Sequence, residues 1–191
     1  MINKTLAILA GGQSSRMNYR NKALMTYQNK SFIQHLIEAG QDFKEVIIIA
    51  NDATPYEGLN VRVIPDLCKG HGPLSGIEAA LHAASTTQVL CVACDMPLVR
   101  KEVLNYLAQY KEGYDVLVPV YDGRLQPLCA VYAKSIEEKV HQALMKEEYK
   151  LQSFIRSLNY QTITTMENES FIETDFMNVN TPTDFLTLEA I

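Results

Sequence analysis

The chain has 191 residues, 47% hydrophobic and 20% charged, with a formal net charge of −5, which suits one globular domain able to bury a sizeable core. No apolar run reaches the ~18 residues of a membrane span, and the acidic balance argues against a general nucleic-acid binder. The charge is unevenly spread: the first acidic residue is Glu38, and before it stand Lys4, Arg16, Arg20, Lys22 and Lys30, leaving 12 basic against 22 acidic residues elsewhere.

In chain order, Leu6 to Ala10 is a short buried strand. It is too short for a cleavable signal, so a cytoplasmic location is expected. Phe32 to Ala39 predicts a helix capped by Ser31 and closed near Gly40. Glu45–Ala50 and Val61–Ile64 predict strands, ending at Asn51-Asp52 and Pro65-Asp66. Pro73 to Ala84 is helical with a glycine-rich start. Val89–Ala93 is a strand ending at Cys94-Asp95, and Val103 to Tyr110 a helix. Asp115–Val120 and Leu128–Tyr132 are strands, the second antiparallel because Asp122-Gly123 makes a hairpin-like turn before it. Ile136 to Met145 and Leu151 to Leu158 are helical, Tyr160–Thr164 is a late strand, and Pro182 to Ala190 a last helix. Strand–helix alternation with continuously apolar strands predicts an α/β fold with a mainly parallel sheet covered on both faces. No linker or repeat divides it, so one domain over residues 1–191 is expected. Residues just past the strands, among them Gly11, Asn51, Asp66 and Asp95, then gather along the ligand-binding edge of the sheet.

The first such loop runs Gly11-Gly-Gln-Ser-Ser-Arg16-Met-Asn-Tyr-Arg20-Asn-Lys22. Glycines let backbone N–H groups approach a polyanion, and Arg and Lys neutralise its oxygens. It fits neither the P-loop nor the dinucleotide fingerprint, yet Gly11, Gly12, Ser14, Arg16 and Lys22 after a buried strand still point to a phosphate cradle. Asp95 is placed to hold Mg²⁺ against phosphate oxygens, or else to cap the segment after Pro97. Asp66 contacts a nucleoside or caps a turn. Gly72 and Gly76 let a flat ring or ribose lie against backbone, although Pro73 also suits a plain helix start. Thr181, Pro182 and Asp184 form a helix start. Asn178 and Asn180, just before it, are free to hydrogen-bond a polar substrate. Cys91-x-x-Cys94 lacks a second ligand pair and sits in an apolar run, so metal or redox use is not expected.

Leu9-Ala-Gly-Gly-x-Ser-x-Arg-Met17 with Lys22, Asp66 with Gly72-Pro-Leu-x-Gly76, Cys94-Asp-Met-Pro97, Arg124-x-Gln-Pro-Leu128 and Asn178-Val-Asn-Thr-Pro-x-Asp184 together resemble the molybdenum cofactor guanylyltransferase family over nearly the whole chain. The resemblance implies a Rossmann-like three-layer sandwich of the glycosyltransferase-A type, and a single nucleotidyltransferase domain. It implies transfer of GMP from Mg-GTP to the phosphate of molybdenum-molybdopterin, with release of pyrophosphate. Carried over by position, Leu9, Ala10, Gly11, Gly12, Lys22, Asn51, Asp66, Gly72 and Gly76 face the nucleotide, and Asp95 holds Mg²⁺. Arg16, Lys22 and Asp95 carry catalysis, and Asn178, Asn180, Arg124 and Gln126 are assigned to the second substrate. The implied partners are GTP, molybdenum-molybdopterin and a molybdoenzyme or chaperone, with neither nucleic acid nor membrane. Two positions depart from the family's habit: Asn18, often Gly, and Asn21, often Asp. A molybdopterin cytidylyltransferase or a sugar-nucleotide transferase shares the same chemistry. A non-catalytic nucleotide or cofactor carrier would bind nucleotide yet release no pyrophosphate.

Overall fold

The computed structural model describes residues 1–11, 21–68, 70–165 and 168–191. In chain order the strands and α-helices are β1 (Ile2–Leu9), β2 (Thr26–Tyr27), β3 (Lys30–Ser31), α1 (Phe32–Ala39), β4 (Phe43–Ile49), β5 (Arg62–Ile64), α2 (Pro73–Ala83), β6 (Gln88–Ala93), α3 (Lys101–Gln109), β7 (Val116–Tyr121), β8 (Arg124–Leu125), β9 (Cys129–Ala133), α4 (Glu137–Met145), α5 (Leu151–Arg156), β10 (Tyr160–Thr164) and α6 (Pro182–Glu189). The main sheet has the order β10-β7-β9-β6-β1-β4-β5, with β8 paired to β7. β1 is parallel to β4 and β6, β4 to β5, and β7 to β10, whereas β9 is antiparallel to both β6 and β7. The expected mostly parallel sheet with an antiparallel member is therefore present.

Every residue of β6 is buried, as a continuously apolar strand covered on both faces requires. Alternation along β1 divides the core: Leu6 and Ile8 join one apolar cluster with α1 and α3, and Ala7 and Leu9 join the other with α2, α4 and α5. Helices thus cover both faces in three layers. The same parity separates the two cysteines of the C-x-x-C, since Cys91 packs in one cluster and Cys94 in the other. Burial pushes the Cys94 thiol up to about 12 and the Cys91 thiol higher still.

Local signals act where the sequence places them. Ser31 caps α1 in a reciprocal capping box with Gln34. Asp122 and Gly123 both have positive φ and form a two-residue hairpin turn. That hairpin joins β7 to the short β8 rather than to β9. After β8 the chain bulges through Gln126-Pro127-Leu128, where Gln126 N–H donates to Pro119 C=O at 2.8 Å, before β9 resumes the pairing. A second tight hairpin, absent from the sequence reading, joins β2 and β3 through Gln28 and Asn29, both with positive φ.

Two features support measurable expectations. A Cβ at Gly40 would collide with Leu6 Cδ2 and press on Val46 and the Leu36 carbonyl, and Leu6 has no exposed surface into which to retreat. Gly40→Ala is therefore expected to cost about 1–3 kcal/mol in urea unfolding. Between α2 and α4, the His141 ring pairs with the buried Glu78 carboxylate at 2.7 Å, and that hydrogen bond raises the imidazole pKa above its ordinary value. A raised folded value means that this stabilisation is complete below the unfolded imidazole's pKa and fades as pH rises through the folded one. Urea midpoints measured from mildly acidic to mildly alkaline pH should fall across that window, and His141→Gln should flatten the slope.

Candidate active site

Backbone hydrogen bonds continue past the strand ends and bring their loops to a common crest. Ala10 N–H donates to Ile49 C=O (2.9 Å), Ala50 N–H to Ile64 C=O (2.9 Å), Cys94 N–H to Leu9 C=O (3.0 Å) and Ala93 N–H to Leu128 C=O (2.8 Å). Gly11, Asn51, Asp66, Asp95 and the Gln126-Pro127-Leu128 bulge therefore share one edge, as the sequence predicts for the first four.

On this crest the glycines make a floor. A Cβ on Gly76 would stand 3.4 Å from Leu9 Cδ2 and 3.9 Å from Asp66 Oδ1, and one on Gly11 would stand 3.8 Å from Ile49 C=O. Side chains there would fill the space against which a ligand could lie. Asp66 is fixed reciprocally: Asn51 Nδ2 donates to its Oδ2 at 3.0 Å, and its own N–H donates to Asn51 Oδ1 at 3.1 Å. Gly72 caps α2 at φ +72°, a conformation that requires glycine, and no side chain caps the helix.

Lys22, Asn180 and Asp95 form the centre. Lys22 lies in a single 3₁₀ turn whose cap, Asn21, accepts from Ala23 N–H (3.1 Å) and donates to the Tyr56 hydroxyl (3.1 Å). Asparagine at this departing position thus anchors the lysine-bearing turn. Lys22 Nζ donates to Asn180 Oδ1 at 2.5 Å. Asp95 is the common neighbour of both. Desolvation raises its pKa, and the Lys22 charge and the Asn180 side-chain hydrogen bond only partly oppose the rise. Val179 N–H donates to the Asp95 carbonyl at 2.8 Å, which holds the C-terminal segment against the end of β6.

Asp184 is the residue that sequence reasoning undervalued. Its Oδ2 accepts from Thr181 N–H, as a capping box predicts, and also from Asn180 N–H, both at 2.8 Å. These backbone bonds, with the nearby Lys22 charge, hold its pKa below the ordinary carboxylate value. Its signal is the acid three residues after the cap, a pattern that helix capping alone explains.

Asp95 Oδ1 is shielded from solvent and has no hydrogen-bond partner. A bare carboxylate oxygen beside a lysine fits Mg²⁺, which takes one or two carboxylates and completes its shell with phosphate oxygens and water. Among the described residues, no three His, Cys, Asp or Glu side chains gather to hold a metal by themselves.

Gly12, Arg16 and Asn18 lie outside the described residues. Asn178 directs its amide to Phe176 C=O at 3.3 Å. Arg124 lies in β8, and Gln126 in the bulge beside Ala93. Of the early cations, Lys4 is buried near the opposite end of β1, 3.8 Å from Glu112, and Lys30 pairs with Glu38 at 2.7 Å. Neither belongs to the crest. His71 stacks on Tyr149 with ring centroids 4.8 Å apart.

Residues 6–163 match the family model described as a MobA-like NTP transferase domain. The chain belongs to this family. A probable molybdenum cofactor guanylyltransferase of Clostridium perfringens is 42% identical over 97% of this chain and 96% of its own, and one of Carboxydothermus hydrogenoformans is 37% identical over 97% and 94%. The crystal structure of molybdopterin-guanine dinucleotide biosynthesis protein A from Archaeoglobus fulgidus superposes with a TM-score of 0.82 at 30% identity, covering 97% of both chains. A 2-C-methyl-D-erythritol 4-phosphate cytidylyltransferase from Thermus thermophilus, at 17% identity and a TM-score of 0.73, shares the fold. The protein is thus a nucleotidyltransferase enzyme of molybdenum cofactor biosynthesis, and among the described residues no helix is long and apolar enough to cross a membrane.

Within this nucleotidyltransferase, Asp184→Ala is expected to cost about 1 kcal/mol of stability through the lost cap. Turnover should fall roughly ten- to a hundredfold as Asn180 loses its register. Thr181→Ala should cost similar stability, measured by urea unfolding, with a much smaller loss of turnover.

Proposed function

We propose that the protein transfers GMP from Mg-GTP to the terminal phosphate of molybdenum-molybdopterin. The observation that carries this reading is the convergence of Lys22, Asn180 and the bare Asp95 carboxylate on one crest. An oxygen of the acceptor phosphate attacks the α-phosphorus of GTP. The α–β bridging bond breaks, pyrophosphate leaves with its electron pair, and a new phosphoanhydride joins the two halves. The acceptor is a phosphate monoester, already largely ionised near neutral pH, so no side chain need act as a strong base. The difficulty is repulsion between two polyanions. Lys22, supported by Arg16 in the same loop, neutralises phosphate oxygens and holds them in line. Asn180 keeps the lysine ammonium directed toward the reacting centre. Gly11, Gly12, Gly72 and Gly76 let the nucleotide lie against backbone, and Asn51 with Asp66 gives the nucleoside a rigid pair of donors and acceptors. Asp95 would hold Mg²⁺, which would supply positive charge to screen the phosphate oxygens during transfer. Asn178, Arg124 and Gln126 face the acceptor side.

The decisive measurement is pyrophosphate release from Mg²⁺, molybdenum cofactor and each nucleoside triphosphate in turn. GTP should support turnover, whereas preference for CTP would make the enzyme a cytidylyltransferase. Nucleotide binding without pyrophosphate release would make it a carrier. Lys22→Ala should lower turnover by about 10²–10³. Asp95→Asn should abolish the additional rise in melting temperature that Mg²⁺ gives in the presence of GTP. An Asp95→Asn protein that keeps this rise would remove the metal role from Asp95.

A further inference from the structure

A cavity of about 500 Å³ opens at the end of β7 and is lined by Tyr121, Asp122, Thr165, Phe171, Ile172 and Glu173. Its size suits a small-molecule ligand. Its walls are held firmly. Tyr121 stacks on Phe176 with ring centroids 5.6 Å apart, and Phe176 meets Phe171 at 5.9 Å. The fully buried Asp175 accepts two 2.8 Å hydrogen bonds from Arg100 and a third, at 2.7 Å, from Ile172 N–H, so the loop carrying Phe171 to Phe176 is fastened to the start of α3. Thr165 is tied to the Val120 carbonyl by its hydroxyl and its N–H, at 2.9 and 3.1 Å.

The cavity lies on the same edge of the sheet as the candidate active site. The segment that forms its wall runs on through Val179 and Asn180 to Asp95 and Lys22. β7 points the same way as β6, with only β9 between them, so the two strand ends lie about 10 Å apart along one edge. A substrate whose phosphate lies at the Lys22–Asp95 centre would extend its other end into this cavity.

The chemistry of the two ends is opposite. The Lys22 end attracts phosphate. The far end carries two carboxylates, Asp122 and Glu173, both near enough to the Tyr121 phenol to reinforce the upward pKa shift that burial causes. Such an end repels phosphate and accepts hydrogen bonds from N–H groups, and its aromatic wall offers a face for stacking. We infer that this cavity binds a flat heterocycle rich in N–H donors, the 2-amino-4-oxo pterin ring of the acceptor, stacked against Tyr121 with its amino and ring N–H groups directed to Asp122 and Glu173. The assignment rests on the acceptor proposed above. It makes charge sign the device that orients the acceptor, phosphate toward Lys22 and ring toward the carboxylates.

The test is a fluorescence titration of the full chain with 6-hydroxymethylpterin, which carries the ring without the phosphate. Saturable quenching is expected with the unaltered protein, undiminished by saturating GTP. Binding should weaken about tenfold in Tyr121→Ala and in Glu173→Gln, the loss of one charge-assisted hydrogen bond or one stacking face. Glu173 is exposed, so the second variant retains the fold if the first does not. Both variants should keep the GTP-induced rise in melting temperature. Absence of saturable quenching, equal binding by the folded variants, or displacement of the pterin by GTP would each overturn the assignment. Failure of the unaltered enzyme to release pyrophosphate from GTP and molybdenum cofactor would instead strike the proposed reaction, and the pterin titration would still decide the pocket.

Discussion

The contact between Lys22, Asn180 and Asp95 is the constraint on which the rest of the structure depends. It joins residues 158 positions apart and meets the end of β6 in the middle of the sheet. Closing so long a loop is entropically costly, and the cost is offset away from the polar groups themselves. Val179 is fully buried against Phe32 and Leu188, and the capping box of α6 fixes the backbone immediately after Asn180. The last helix is accordingly a buttress for the active site. Its apolar contacts and its cap keep an amide in place between a cation and an anion.

That arrangement is poorly optimised for stability alone. Burial raises the Asp95 pKa against the combined pull of Lys22 and Asn180, so the ionised carboxylate is held where water solvates it too weakly. Turning Lys22 fully onto Asp95 would relieve this, but it would also consume the charge that a phosphate needs. With Asn180 interposed, Lys22 bonds a neutral oxygen and Asp95 keeps one oxygen bare. Both charges are thereby left available, a local sacrifice typical of sites whose groups must be ready for a ligand.

Much of this was legible in the chain. The continuous apolar run of β6, the Ser31 box of α1 and the Thr181-Pro182-Asp184 start of α6 each carry a strong local signal, and each element forms where that signal lies. Asp95 and Asn51 could be placed on one crest because parallel strands point their C-terminal ends the same way. Pairing was less legible. Asp122-Gly123 announced a hairpin, yet its partner is the two-residue β8, because the Pro127 bulge interrupts what would otherwise be one strand. Nor could sequence sort the early cations: Lys4 and Lys22 both precede the first acid, but about 16 Å of strand separates Lys4 from the crest, and Lys4 meets Glu112 instead. Tyr121 and Phe176 carried no motif at all, since their meeting depends on how a late loop folds over the end of β7.

Among the described residues, the buried polar atoms without partners lie toward one edge of the sheet or the other, apart from Glu78 Oε2 in the middle of α2. Gln88, at the start of β6, and Tyr114, just before β7, lie toward the N-terminal edge of the sheet, and Asn105 bonds Asp42 just ahead of β4. Asp95 Oδ1 and Ser75 Oγ lie at the other edge, the first past the end of β6 and the second in the opening turn of α2, whose cap supplies no side-chain acceptor. An orphaned polar atom costs about 1–3 kcal/mol wherever it is buried. On the crest it stands beside glycine surfaces that leave room for a ligand and beside a lysine held short of its natural counter-ion. The unsatisfied groups there are of the kind a preorganised binding surface needs, since the protein itself supplies them no partner.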